Sequence, residues 1–123
     1  MKATITSLIF LLLSLTVSSQ TYKYIGIEEG LSNQKIYKIQ KDARGYMWFL
    51  THVGIDQYNG KEIKHYKLRE GNRELDPLLN INWTFLDKTG TLLVTGKQGR
   101  IFRYDSGHDR FVQIYSMYNY WNK

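Results

Sequence analysis

The chain has 123 residues, the size of one ordinary domain, with 15% aromatic residues, no cysteine and a formal net charge of +6. The absence of cysteine excludes disulfide crosslinks, thiolate zinc sites and a lipoprotein anchor attached through a cysteine behind a signal. Residues 1–19 carry one lysine and no acid, so the rest has 16 lysines and arginines against 11 acids, or +5, with the lysines scattered between aromatic residues as on half-exposed strands, a pattern that argues against a nucleic-acid surface.

In chain order, Lys2 supplies a short positive region and residues 8–15 (LIFLLLSL) an apolar core. Val17-Ser18-Ser19 then offers small residues to a signal peptidase, with cleavage between Ser19 and Gln20. The apolar run is about half of the ~20 residues that a membrane span needs, so residues 1–19 read as a secretion signal and not an anchor. A cysteine-free exported chain suits a bacterial periplasm.

After Gln20, aromatic and β-branched residues come in short runs bounded by Gly, Asn or Asp, and no stretch keeps a helical period. The runs repeat. Asp42-Ala-Arg-Gly45 is echoed by Asp87-Lys-Thr-Gly90 at an offset of 45 residues, and the same offset aligns Trp48 with Leu93, Phe49 with Val94 and Gly54 with Gly99. Tyr58-Asn59 is answered by Tyr104-Asp105 one residue later.

Each copy predicts four strands: Lys35–Gln40, Tyr46–Thr51, Gly54–Tyr58 and Glu62–Tyr66, then Ile81–Leu86, Leu92–Thr95, Arg100–Tyr104 and Phe111–Tyr115. Asp-x-x-Gly suits a tight turn in which the carboxylate caps backbone N–H groups, and Asn59-Gly60 predicts a type I′ hairpin. Four antiparallel strands in about 45 residues is the size of one β-propeller blade. The uninterrupted apolar run Tyr46–Leu50 fits a sheet covered on both faces. A small two-layer sandwich would explain the strands but not the repeat.

The predicted fold class is therefore all-β: about two four-stranded blades of an incomplete propeller behind a signal peptide. The divisions are residues 1–19 signal peptide, 20–34 lead-in with a strand near Tyr22–Ile27, 35–68 first blade, 69–78 polar surface loop, 79–116 second blade and 117–123 tail.

The ordered motifs Gly30-Leu31-Ser32-Asn33, Asp42-x-x-Gly45, Trp48-Phe-Leu-Thr51 and Gly54-Ile-Asp-Gln-Tyr58-Asn-Gly60 resemble the two-component regulator propeller repeat. Asp87-x-x-Gly90, Leu93-Val-Thr-Gly96, Gly99 and Arg103-Tyr104-Asp105 form the second copy, and together the two cover nearly all of residues 22–115. Leu50 stands where the family usually has a glycine, Leu93 where it has Trp, and Gln57 and Asn59 where it has Arg and Asp. The resemblance implies the periplasmic sensor region of a hybrid two-component system of the Bacteroidetes type, anchored in the inner membrane when intact. It also implies oligosaccharide sensing coupled to a histidine kinase. The chain itself carries no kinase signature, so no phosphotransfer is assigned to it.

His52, His65 and His108 lack metal-ligand spacing, and neither a nucleophile arrangement nor a phosphate-cradling loop is present, so no metal, cofactor or enzymatic activity is predicted. Asp42 and Asp87 share one turn context and read as turn-formers together with Gly45, Gly90, Gly54, Gly99 and Trp48. His52, Tyr58 and Tyr104 are the candidate ligand contacts. Trp48 and Trp83 complete an aromatic set that serves either a sugar platform or blade packing. Two blades do not close a ring, so both outer faces of the pair are expected to expose apolar rows, and Tyr22–Ile27 is expected to complete a last blade. These features predict a truncated gene or a broken frame, with the missing blades or self-association as the partners.

Overall fold

A computed structural model describes residues 1–3, 5, 20–76 and 81–117. Most of the expected signal peptide, Pro77 and residues 118–123 lie outside the described residues.

Alternating and continuous apolar runs each become strands. The first sheet has the order β1 (Ile36–Lys41), β2 (Met47–Thr51), β3 (Ile55–Tyr58) and β4 (Ile63–Tyr66). After a short hairpin, β5 (Arg69–Glu70) and β6 (Arg73–Glu74), the second sheet comprises β7 (Trp83–Leu86), β8 (Leu92–Thr95), β9 (Ile101–Asp105) and β10 (Arg110–Tyr115). Within each sheet every strand pairs antiparallel with its sequence neighbour, the meander of a propeller blade. The strands begin and end within two residues of the sequence expectation.

The ladders carry the repeat into space. Gln40, Trp48, Gln57 and Lys64 lie opposite one another across the first sheet. Phe85, Leu93, Arg103 and Val112 form the matching row across the second. The rows correspond position by position, yet among the described residues only the first is covered by another blade.

The core lies between the sheets. Trp48, Leu50, Ile55 and Tyr66 from the first blade meet Leu92, Val94, Phe102, Tyr104 and Phe111 from the second, with Leu68 and Leu75 closing one side. The rings of Trp48 and Tyr104 stand edge to face with centroids 4.7 Å apart, and Tyr66 meets Phe111 at 5.8 Å. Pairs of this kind contribute about 0.5–1.5 kcal/mol each beyond simple burial. Strand β2 is buried on both faces, as its unbroken apolar run requires.

Four expectations are corrected. The first blade's outer face is bare only in part: residues 26–32 fold over it, with Leu31 and Phe49 both buried, while Tyr37 and Ile39 stay exposed as expected. Ser32 there donates from its backbone N–H and its hydroxyl to Asp56, both at 2.8 Å. The lead-in Tyr22–Ile27 forms no strand. It pairs with no ladder among the described residues, and the chain turns instead through Leu31 N–H to the Gly26 carbonyl at 3.0 Å.

The polar loop at Arg69–Asp76 contains the β5–β6 hairpin, tied by Leu75 N–H to the Leu68 carbonyl at 2.9 Å. Burial of Leu68 and Leu75 anchors its two ends in the core. Finally, pairing of Tyr58 with Ile63 leaves residues 59–62 as the loop, and Asn59 keeps a negative φ, so the turn is not type I′. The Asn59 side chain accepts from Lys61 and Glu62 N–H, both at 2.9 Å, which favours the longer loop.

The second blade's far face stays exposed at Phe85, Val112, Ile114 and Tyr115.

Candidate ligand-binding site

Where β1 and β7 begin and β2 ends, the two blades diverge around a cavity of about 320 Å³ lined by Tyr37, Lys38, Leu50, Thr51, His52, Ile81, Asn82 and Trp83. The repeat explains this composition. Leu50 and Thr51 finish the apolar strand β2, whereas β1 alternates and turns Lys38 toward the second blade. Lys38 reaches across to the Thr84 carbonyl, and its ammonium sits 4.1 Å from the centroid of the Trp83 ring. The cation thereby fixes the tryptophan at the cavity wall, a contact worth about 0.5–2 kcal/mol.

His52, just past β2, is held by its backbone N–H to the Lys35 carbonyl at 3.3 Å. Its Nδ1 meets the Tyr37 hydroxyl, and the two rings lie 5.9 Å apart. Lys35 stands over the other ring of this pair, its Nζ 5.5 Å from the Tyr37 centroid. The lining thus combines aromatic faces with donors and includes no acidic side chain. It can hold a small polar ring by stacking and hydrogen bonds.

A larger groove of about 690 Å³ runs between β4, the β5–β6 hairpin and β10. Its acidic side chains already hold cations, Glu74 with Lys67 at 2.5 Å within the groove, and Glu70 with Arg73 at 3.1 Å and Asp109 with Lys64 at 3.0 Å from outside it. A ligand there would have to compete with these pairs.

The three ligand candidates from the sequence do not converge. His52 lines the cavity. Tyr58 lies at the other end of β3, where its hydroxyl donates to the Gly60 carbonyl at 2.6 Å and accepts from Lys23 at 2.7 Å. Tyr104 is buried between the blades, and its hydroxyl donates to Asp109 at 2.7 Å. Tyr66 donates to the same carboxylate oxygen at 2.6 Å and Lys64 to the other at 3.0 Å. These three donors, Tyr104 first, hold the Asp109 carboxyl down at about 2. Burial, followed by the Asp109 bond, pushes both phenols above their ordinary range.

The repeat residues sit in matching turns. Asp42 accepts from Arg44 N–H at 2.9 Å and Tyr46 N–H at 3.0 Å, and its second oxygen accepts from the Trp48 indole at 2.9 Å. Asp87 accepts from Thr89 N–H at 2.8 Å and Thr91 N–H at 3.0 Å. Leu93 offers no donor in place of Trp48, and the Arg103 guanidinium supplies one at 3.0 Å. The Thr89 hydroxyl, the Thr91 N–H and Arg103 hold Asp87 well below the usual carboxylate range. Gly45 and Gly90 close the two turns, and Gly54 and Gly99 lie between the second and third strands of their sheets.

Sequence reasoning missed Tyr37, Lys38 and Asn82 as cavity residues, although Lys38 was legible as a cation in a strand that faces a neighbouring blade. It also missed Asp56, which is fully buried and also bound by His65 Nδ1 at 2.8 Å. Ser32 Oγ meets Asp56 and Thr51 and not His65, so this Ser, Asp and His do not form a nucleophile–base relay. Among the described residues, no group of three or more His, Cys, Asp or Glu side chains is placed to hold a metal ion, and no helix is long and apolar enough to cross a membrane.

Residues 30–52, from the lead-in through the first turn to His52, match the family model described as two component regulator propeller. The likeness there is to one copy of that repeat. This repeat contains the first-blade half of the cavity wall, Tyr37 to His52. A solved structure with a similar fold is the extracellular domain of a protein described as a one component system from B. thetaiotaomicron. It is 24% identical with a TM-score of 0.59, and the match covers 83% of this chain. The chain spans 14% of the length of that structure, and the likeness is one of fold. No curated protein matches the chain.

Proposed function

We propose that the chain supplies two blades of an exported, periplasmic sensor propeller, which recognises an oligosaccharide without catalysis and, as part of a longer receptor, passes that binding to a signalling domain. The observation that carries this reading is the cavity between β1 and β7, where Trp83, Tyr37 and His52 surround a space suited to a sugar ring. The two component regulator propeller match and the extracellular domain of similar fold support it. Aromatic faces stack on pyranose rings while neighbouring donors read hydroxyl groups.

Calorimetric titration of the full chain with a panel of neutral and acidic trisaccharides tests the proposal. Saturable binding to at least one member, lost in Trp83→Ala, is the expected result. Absence of binding across the panel, with the fold intact by circular dichroism, overturns it.

A second reading, a secreted binding or adhesion module that assembles from several copies, is favoured by the exposed apolar side chains Phe85, Val112 and Ile114 on the second blade. Sedimentation of the full chain distinguishes the two. A discrete oligomer that dissociates on Val112→Lys supports the module, and an unchanged monomer rejects it.

A further inference from the structure

The proposed sugar cavity has a charge asymmetry that narrows its ligand. Lys38 and His52 line it, Lys35 stands beside it over the Tyr37 ring, and no Asp or Glu contributes to its wall. The Lys38 ammonium uses one donor on the Thr84 carbonyl and, with three N–H groups, keeps others for a ligand. His52 Nε2 has no hydrogen-bond partner among the described residues, because Nδ1 makes the bond to Tyr37. The nearby buried carboxylate, Asp56, is fully enclosed and occupied by Ser32 and His65, so it lends the cavity no accessible negative group.

We infer that this cavity takes an anionic sugar, a pyranose bearing a carboxylate or sulfate, with the ring against Trp83 and the anion between Lys38 and His52. The inference rests on the sugar-binding reading and adds the sign of the ligand's charge. Trp83 is 60% exposed, so much of its surface remains free although Lys38 contacts the ring. Half-enclosed walls strengthen the attraction between ammonium and anion relative to open water, while bound neutral sugars would leave the cation without a counter-charge. Lys38 thus has two roles: it holds Trp83 in place and recognises the anion.

The test uses the full chain and three matched sets of trisaccharides: uronic acid oligomers, their neutral methyl esters, and sulfated neutral sugars. Acids are expected to bind at least ~10-fold more tightly than their esters, the range of one charge-assisted hydrogen bond. The advantage should shrink as salt is raised from 20 to 500 mM, values on the order of those that shorten the Debye length from about 20 to about 4 Å. Lys38→Met should remove the difference between acid and ester, and His52→Ala should reduce it, with the fold checked by circular dichroism in each case. Preference for the sulfated set over the acids would identify sulfate as the anion and still support the charge assignment. Equal binding of acids and esters, insensitive to Lys38→Met, overturns the anionic assignment while leaving the sugar reading standing. No binding of any set overturns both.

Discussion

Tyr66 at the end of β4 donates its phenolic hydrogen to Asp109 at 2.6 Å, joining the outer strand of the first blade to the β9–β10 turn of the second. Tyr104 donates to the same oxygen, so one carboxylate clamps two rings of the interblade core. Asp109 holds a left-handed φ of 50°, a conformation that Asn also tolerates.

Asp109→Asn therefore keeps the backbone and removes the charge. The half-exposed site screens that charge, so the expected loss is about 1 kcal/mol, read as a lower urea midpoint. An unchanged midpoint would show that the clamp adds nothing to blade pairing.

The same carboxyl predicts an acid response. Its folded pKa of about 2 lies below the ordinary value of 3.8, because ionised Asp109 accepts from Tyr104, Tyr66 and Lys64. A depressed value stabilises the fold above the unfolded pKa, and this contribution is lost as pH falls from about 4 through about 2. Thermal melts of the wild type and Asp109→Asn should converge over this window. A constant gap between them down to pH 2 would contradict the assignment.

Gly45 and Gly90 occupy the same turn position with φ of 86° and 75°, but their surroundings differ. A Cβ on Gly45 would meet nothing within 4 Å, whereas one on Gly90 would come 2.3 Å from the Ala43 Cβ of the neighbouring blade. Ala43 N–H also donates to the Gly90 carbonyl at 3.1 Å, so the two turns cannot separate without losing that bond. Gly45→Ala should cost about 1–2 kcal/mol from backbone strain alone. Gly90→Ala should cost a further ~1–3 kcal/mol from overpacking. Equal costs by chemical denaturation would mean that the blades do not approach each other as described.

Trp48→Phe keeps a ring in the core but removes the indole donor to Asp42, a residue only 8% exposed. Leaving that oxygen unpartnered should cost about 1–3 kcal/mol. Chemical denaturation of the wild type and the Phe variant at pH 7 reads this cost as a lower urea midpoint. An unchanged midpoint would show that the bond from the indole to Asp42 adds nothing to the fold.

The repeat of Asp42-x-x-Gly45 in Asp87-x-x-Gly90, together with apolar runs of strand length, determined the two four-stranded sheets and their Asp-x-x-Gly turns from sequence alone. That is possible because strand pairing between chain neighbours and Asx-type capping are local, acting over a few residues each. Which face of each sheet is covered, and by what, was decided only by tertiary structure. Trp48 and Leu93 are equivalent in the repeat, yet Trp48 packs against the second blade, while the row containing Leu93 meets no further blade among the described residues. The lead-in at residues 26–32 closes over Asp56 through Ser32, 24 residues away in sequence. The candidate site followed the same division. His52 was legible as the residue after a strand, but its grouping with Lys38 and Trp83 depends on the separation of two blades, a distance that no local pattern encodes.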